Sequence, residues 1–392
     1  MRATARGILS VTLLSTGLAG RSAAQATYPN VKLSGRLQQQ FFHFDNDAYA
    51  PGVGAQSNFF IRRARIEARG QISEHVSVFI QPSFEGGRVL SATTTCTSTP
   101  VPPGGGTPTV TCRITGRSGF RLRDAYIDVR FTREERPTTL YLRAGQEKRP
   151  FSRYELTSSN NLPSIERGAG QGLPGRASNN LFEAAGFIAH DVGASLRLEH
   201  ELDDARMVTL KVGAYNGQGE NLNDVNDRKS FGARGTVAIT PKIDVGASWF
   251  AHDGIVMAGG VPDSAFVNHA FDVDAQYGKP GDEGVFALAE YLEGTDATAE
   301  KARMRGLQAV AAYHVRTGNS ASWLSAIEPA LRLDLADPNS DAADDAVTTV
   351  TAALGLYLSS RAWLRVGYER QSFQADGAES VSGLRSMLAV SF

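Results

Sequence analysis

The side chains best suited to chemistry gather in one stretch, Leu140–Gly168, which reads LYLRAGQEKRPFSRYELTSSNNLPSIERG. Lys148, Arg149, Arg153 and Arg167 stand there among the acids Glu147, Glu155 and Glu166. A guanidinium fork matches the oxygens of a phosphate in a bidentate manner, and an ammonium adds a point charge, so such a group at a constriction suits anions. The three acids bring the net charge down to about +1 and are expected to pair with some of the arginines and shape the segment. Catalytic groupings are poor by comparison. The chain has no HExxH, no GxSxG and no Cys/His cluster. Gly170–Gly175 (GQGLPG) matches GxGxxG in form, but no strand precedes it and no helix follows, so a dinucleotide site is rejected. His190 adjoins Asp191, while His43, His252 and His314 fall near strand ends, and no spacing sets a Ser or acid dyad beside them. The chain reads as a protein that is not an enzyme and uses no metal and no cofactor.

A long polar stretch must be held by something, and the rest of the chain alternates with period two. In Val31–Phe44, Val31, Leu33, Leu37 and Phe41 share one face, and Lys32, Ser34, Arg36, Gln38 and Gln40 the other. Phe59–Arg69 sets Phe60, Ala64, Ile66 and Ala68 against Arg63, Arg65, Glu67 and Arg69. The pattern continues through His75–Glu85, Phe120–Phe131, Thr139–Gln146, Ile188–Glu201, Arg206–Asn216, Lys229–Thr240, Ile243–Asp253 and Phe266–Tyr277. It ends with Gly284–Gly294, Arg303–Arg316, Trp323–Leu335, Ala346–Ser359, Ala362–Phe373 and Ser382–Phe392. These are sixteen strands of a length that crosses a bilayer at a tilt. The mature chain has no apolar run of the length a membrane helix needs. Alternation turns Arg36, Arg63, Arg65, Arg69, Arg130, Arg143, Arg197, Lys211, Arg234, Arg332 and Arg365 inward, with Glu67, Asp124, Asp128, Asp244, Glu328 and Glu369. So charged an interior implies a water-filled lumen, because dry burial of charge is costly. Aromatics near strand ends, among them Phe41, Phe44, Phe59, Phe60, Phe131, Trp249, Tyr277, Trp363, Tyr368 and Phe392, suit interfacial girdles.

Connections alternate between short turns and long loops, which is the habit of bacterial outer-membrane barrels. The fold class expected is therefore all-β, a 16-stranded antiparallel transmembrane β-barrel. Its third extracellular loop, after the fifth strand, is expected to fold inward. Arg2 and Arg6, the apolar run Ile8–Gly20 and Ala24-Gln25-Ala26 form a secretory signal peptide over residues 1–26, leaving an outer-membrane β-barrel domain over 27–392. Without that segment 37 basic residues face 41 acidic ones, so bulk charge offers nothing to nucleic acid. Cys96 and Cys112 flank a Pro/Gly/Thr loop and are expected to form a disulfide in an oxidising compartment.

The runs LRDAYIDVRF (Leu122–Phe131) and Leu140–Gly168 carry a resemblance. Gly145, Gln146, Lys148, Pro150, Phe151 and Ser152, then Leu156–Ser159 and Glu166-Arg167, resemble the phosphate-selective porin O and P family, and the strand pattern extends the likeness to Phe392. The resemblance implies a trimeric outer-membrane porin for passive diffusion of small inorganic anions such as phosphate or polyphosphate. Lys148, Arg149 and Arg153 match the basic motif of its inward loop. Lys148, Arg149, Arg153, Arg167, Arg36, Arg63, Arg65 and Arg143 are thus the expected ion pathway. Outer-membrane lipids and the barrel-assembly machinery, which reads an amphipathic last strand ending in an aromatic, are the remaining expected partners. The alternative is a channel without phosphate preference, and a barrel enzyme stands third.

Overall fold

The computed structural model describes residues 28–45, 57–84, 93–98, 110–115, 120–132, 137–167, 178–258, 261–297, 301–318 and 323–392. For 93–98, 110–115, 178–180, 256–258 and 261–264 it describes the backbone alone. The residues 1–26 expected as a signal peptide and the GxGxxG match lie outside the described set.

The strands, in chain order, are β1 (Asn30–Phe44), β2 (Ser57–Gln71), β3 (Val76–Ser83), β4 (Thr93–Ser98), β5 (Val110–Thr115), β6 (Arg121–Arg130), β7 (Thr138–Lys148), β8 (His190–Asp203) and β9 (Arg206–Tyr215). They continue as β10 (Ser230–Ala238), β11 (Ile243–Ala258), β12 (Val261–Tyr277), β13 (Gly284–Thr295), β14 (Arg303–Arg316), β15 (Ala326–Asp337), β16 (Val347–Ser359), β17 (Ala362–Phe373) and β18 (Val381–Ser391). All except β4 and β5 join in one closed antiparallel barrel in which each strand pairs its neighbour in sequence and β1 pairs β18. Closure leaves no sheet edge unpaired, which a bilayer demands of any strand structure. The sixteen barrel strands are the sixteen segments read from period two, with ends moved by a few residues. Two departures are informative. β11 and β12 run on as a paired ladder through the stretch expected as a loop over 254–265. The stretch around the cysteines, expected as an irregular loop, carries the hairpin β4–β5, whose register sets Cys96 opposite Cys112. The expected disulfide itself concerns side chains outside the described set.

The barrel is apolar outside and polar inside. Leu33, Leu37, Ile66, Ile127, Leu196, Leu210, Trp249, Val273, Leu354, Val366 and Leu388 are exposed on its outer face, while Arg36, Gln38, Gln40, Arg234, Asp272, Glu290, Arg332, Arg365 and Arg385 are buried. Among the aromatics expected in girdles, Phe59, Phe131, Trp249, Tyr277, Tyr368 and Phe392 are exposed. Phe44, Phe60 and Trp363 are buried instead, on the inner face.

The Phe60 reversal has a local cause. The β1–β2 register slips between Gln38 and Gln39, whose partners are Arg63 and Ile61, so Arg62 is an extra residue in a β-bulge. The bulge turns Phe60 inward and sends Phe59 and Ile61 out, against the alternation expected for Phe60. A second slip, between Gln81 and Pro82, leaves Arg123 as the extra residue. Proline has no N–H to give the ladder, so a bulge is where a strand accommodates it.

Candidate ion pathway

β7 forms the first part of the polar stretch Leu140–Gly168. Gly145 on β7 takes φ +132°, and a Cβ there would stand 2.2 Å from the Ala125 carbonyl oxygen on β6, so the close approach of the two backbones requires glycine. Two residues on, the Glu147 carboxylate accepts from four donors. Ser195 Oγ and Lys211 Nζ lie at 2.6 Å, Tyr215 Oη at 3.0 Å and Arg143 Nη1 at 3.1 Å. Arg143 also grips Asp128 with both arms at 2.7 Å and lies 3.6 Å over the Tyr126 ring.

Beyond β7 the chain makes the one-turn helix α1 (Arg153–Leu156), and the described segment ends at Arg167. Ser152 caps α1 at φ 63°, a backbone region that a non-glycine residue occupies only when its surroundings hold it there. They do so here. Its N–H donates to Asp272 and its Oγ to Glu290, each at 3.0 Å. The next N–H, of Arg153, reaches Glu290 at 2.5 Å. The Arg153 guanidinium bonds Asp274 and, at 2.6 Å, Asp244. Asp272, Asp274 and Glu290 have oxygens within 4.8 Å of one another, a spacing that a cation could use. Arg153 and Arg234 already serve the trio, Arg234 reaching Asp274 at 2.5 Å and Asp272 at 3.1 Å.

Three apolar clusters hold the segment. Phe151 packs with Phe187, Tyr215 and Phe250. Tyr154 and Leu162 enter a cluster with Phe286, Leu288, Val310 and Ala312. Ile165 sits with Trp363, Met387 and Ala389. Each anchor removed from water contributes on the order of 1.5–3 kcal/mol. Polar bonds complete the attachment. Arg36 donates to Ser159 at 3.1 Å, Gln38 to Asn160 at 3.0 Å, Arg332 to the Glu166 carbonyl at 2.9 Å and Arg365 to the Leu162 carbonyl. The bulged Arg62 holds the Glu166 carboxylate in a fork at 2.6 and 2.9 Å.

The cations expected to guide ions all have partners. Lys148 bonds Glu155 at 2.9 Å, Arg167 lies 3.2 Å from the same carboxylate, and Arg149 reaches Asp191 at 2.7 Å with both side chains buried. Arg36 pairs with Glu67, Arg63 donates to Gln38 at 2.8 Å, and Arg65 is 3.4 Å from Gln81. Burial alone would raise the Glu155 carboxyl, but Arg167 and Lys148 outweigh it and hold it down at about 2. Glu166 is likewise held far below the ordinary carboxylate range, burial being overcome chiefly by Arg62. The residues that sequence reasoning missed are Arg62, which strict alternation sends to the lipid, and the trio Asp272, Asp274 and Glu290. Only the adjacent bulky pair Phe59-Phe60 before two arginines hinted at the bulge.

A closed sixteen-stranded barrel with an apolar exterior and a charged interior is an outer-membrane porin. The chain belongs to the family of phosphate-selective porins O and P, whose model matches residues 31–249. Among solved structures it is similar to an anion-selective porin from Comamonas acidovorans, at 12% identity and TM-score 0.57, covering 93% of this chain and 100% of that one. It is also similar to the outer-membrane channel DcaP of Acinetobacter baumannii, at 13% identity and TM-score 0.57, over 93% of this chain and 97% of that one. OmpT of Vibrio cholerae, solved in a trimer form, matches at 11% identity and TM-score 0.53 over 93% of this chain and 99% of its own. At these identities the likeness is one of fold. No curated protein matches the chain.

Proposed function

We propose that the protein passes small anions by passive diffusion, phosphate or polyphosphate among them, through a lumen narrowed by residues 149–167. The observation that carries this reading is the file of cations on β2. Arg62, Arg63, Arg65 and Arg69 lie on that one strand, with Lys32 and Arg36 on β1 beside it, and the two strands together carry a single acid, Glu67. An excess of fixed guanidinium charge along a wet wall lowers the barrier for anions and raises it for cations. The partners of residues 149–167 lie on the buried face of β1, β2, β12, β13, β15 and β17, which supports an inward fold for that segment. Residues 1–26 act as a cleaved export signal, and the porin works as a homotrimer, a state supported by the trimer form of OmpT.

The test is the reversal potential of the purified porin in a planar bilayer under a KCl gradient. Anion preference is expected, and millimolar phosphate is expected to reduce the chloride current. A cation preference overturns the proposal. Neutralising Lys148, Arg149 and Arg153 together is expected to move selectivity toward cations, because it strips the counter-charge from Glu155, Asp191, Asp244 and Asp274. An unchanged ratio would remove these three from the selectivity mechanism.

A second reading rests on the pairing just described. Since each of those loop cations already holds a carboxylate, a channel without phosphate preference is the alternative. Equal conductance for phosphate and chloride, with no block by phosphate, would favour it.

A further inference from the structure

The end of the barrel that carries the short turns holds a cavity of about 810 Å³, lined by none of residues 149–167. Two observations there call for a ligand. The first is electrostatic. Lys32 on β1 and Arg69 on β2 are direct cross-strand partners, and both line this cavity. Like charges set opposite one another in a ladder are destabilising. Elsewhere on the same pair of strands the conflict is answered, since Arg36 faces Arg65 but has Glu67 as a partner. Neither Lys32 nor Arg69 has a carboxylate within ion-pairing distance among the described residues. The other cations of the cavity are better served, with Arg197 at 3.1 Å from Glu199 and Arg130 donating to the Glu74 carbonyl at 2.9 Å. Of the two carboxylates lining the cavity, Asp128 is taken by both arms of Arg143, and Glu74 sits exposed on the turn after β2.

The second observation is the backing of these guanidinium groups. Arg69 lies 4.2 Å over the Phe79 ring, and Arg197 lies 4.5 Å over Tyr141. Phe79 is buried while Arg69 is exposed, so the ring supports one side of the guanidinium plane and leaves the other to the cavity. A guanidinium backed by a ring has less side-chain entropy left to lose when a planar group stacks on its open side. A bare phosphate needs charge and donors, and a flat stacking face adds nothing to its binding.

We propose that this vestibule is a binding station for planar organic anions, an aryl carboxylate being the simplest. The acidic group lies between Lys32 and Arg69, and the ring stacks on the open face of the Arg69 guanidinium. The proposal rests on the porin reading above and adds a class of solute to it. The volume is within the range of small-molecule sites, so a single-ring acid fits with water around it.

The experiment compares block of the chloride current by benzoate, by cyclohexanecarboxylate and by inorganic phosphate, each in the same bilayer. Benzoate and cyclohexanecarboxylate carry the same charge and nearly the same bulk but differ in flatness. Benzoate is expected to block at about three- to fivefold lower concentration, the worth of one partly solvated stacking contact. Arg69→Lys keeps the charge and removes the plane, and is expected to bring the two acids to the same blocking concentration. Lys32→Gln is expected to weaken block by both acids while leaving benzoate ahead. Because each readout is a ratio between two acids in one channel, altered conductance in a variant does not obscure it. Equal block by the two acids in the unaltered protein overturns the inference, as does a benzoate advantage that survives Arg69→Lys. Failure of the porin reading would look different, as a channel preferring cations or no channel at all.

Discussion

Glu155 and Glu166 carry opposite ends of one electrostatic problem. Each is buried, which disfavours its charge, and each stays ionised because guanidinium or ammonium groups stand against it. Glu155 joins Lys148 at the start of the segment to Arg167 at its end, so one carboxylate closes the segment on itself. Its ordinary value is 4.5, and the folded protein holds it at about 2. A carboxyl whose value is depressed by folding contributes stability that is complete above the ordinary value and lost as pH falls toward the depressed one. Single-channel conductance is therefore expected to stay steady from neutral pH to about 5 and to become noisier or larger between about 4.5 and 2, as the closure weakens. A transition near pH 6 would show that another group controls the segment.

At the scale of elements, the bulge in β2 and the apolar patches do separate things. The patches hold Phe151, Tyr154, Leu162 and Ile165 without regard to charge. The bulge brings Arg62 to Glu166, a partner 104 residues away in the chain. Deleting Arg62 removes the extra residue and leaves a regular ladder in which Phe60 and Arg63 keep their inward faces. The barrel is expected to fold, seen as retained heat-modifiable mobility on a gel, while open-channel current noise rises because Glu166 has lost its fork. Loss of the folded band would mean that the bulge is needed to close the barrel. Cutting a buried ion pair in this way removes one partner and exposes the other to a cost on the order of 3–5 kcal/mol.

At the scale of the whole molecule, stability depends on one seam. The β1–β18 pairing is the contact that turns a sheet of consecutive hairpins into a barrel, and it joins the two ends of the strand series. Gly35 exchanges two backbone hydrogen bonds with Phe392 there, at 3.0 and 3.1 Å. A Cβ at Gly35 would lie 2.4 Å from the Phe392 ring and 2.8 Å from the Arg65 carbonyl oxygen. The ring can shift, but the carbonyl belongs to the neighbouring strand of the wall. Gly35→Val is expected to lower the yield of folded barrel and the temperature at which the folded band is lost, whereas Leu37→Val, exposed on the outer face, leaves both near the parent values. Equal behaviour of the two variants would show that the seam tolerates a side chain.

The sequence by itself determined the number of barrel strands, their faces over most of their length, and the position of the polar segment after the fifth of them. Those features follow from period two and from the sorting of short and long connections, both of which are local. Position 60 marks where local reasoning stopped, because a one-residue slip against β1 is set by pairing with another strand. Pairing of charges was equally out of reach. Arg149 meets Asp191 through the pairing of β7 with β8, while Arg153 with Asp274 and Arg62 with Glu166 join residues far apart in the chain that only the assembled barrel brings together. For that reason the segment Leu140–Gly168 was legible as a place where charge gathers, while the tertiary structure alone decided that its own cations are occupied and that Lys32 and Arg69 are left facing open space.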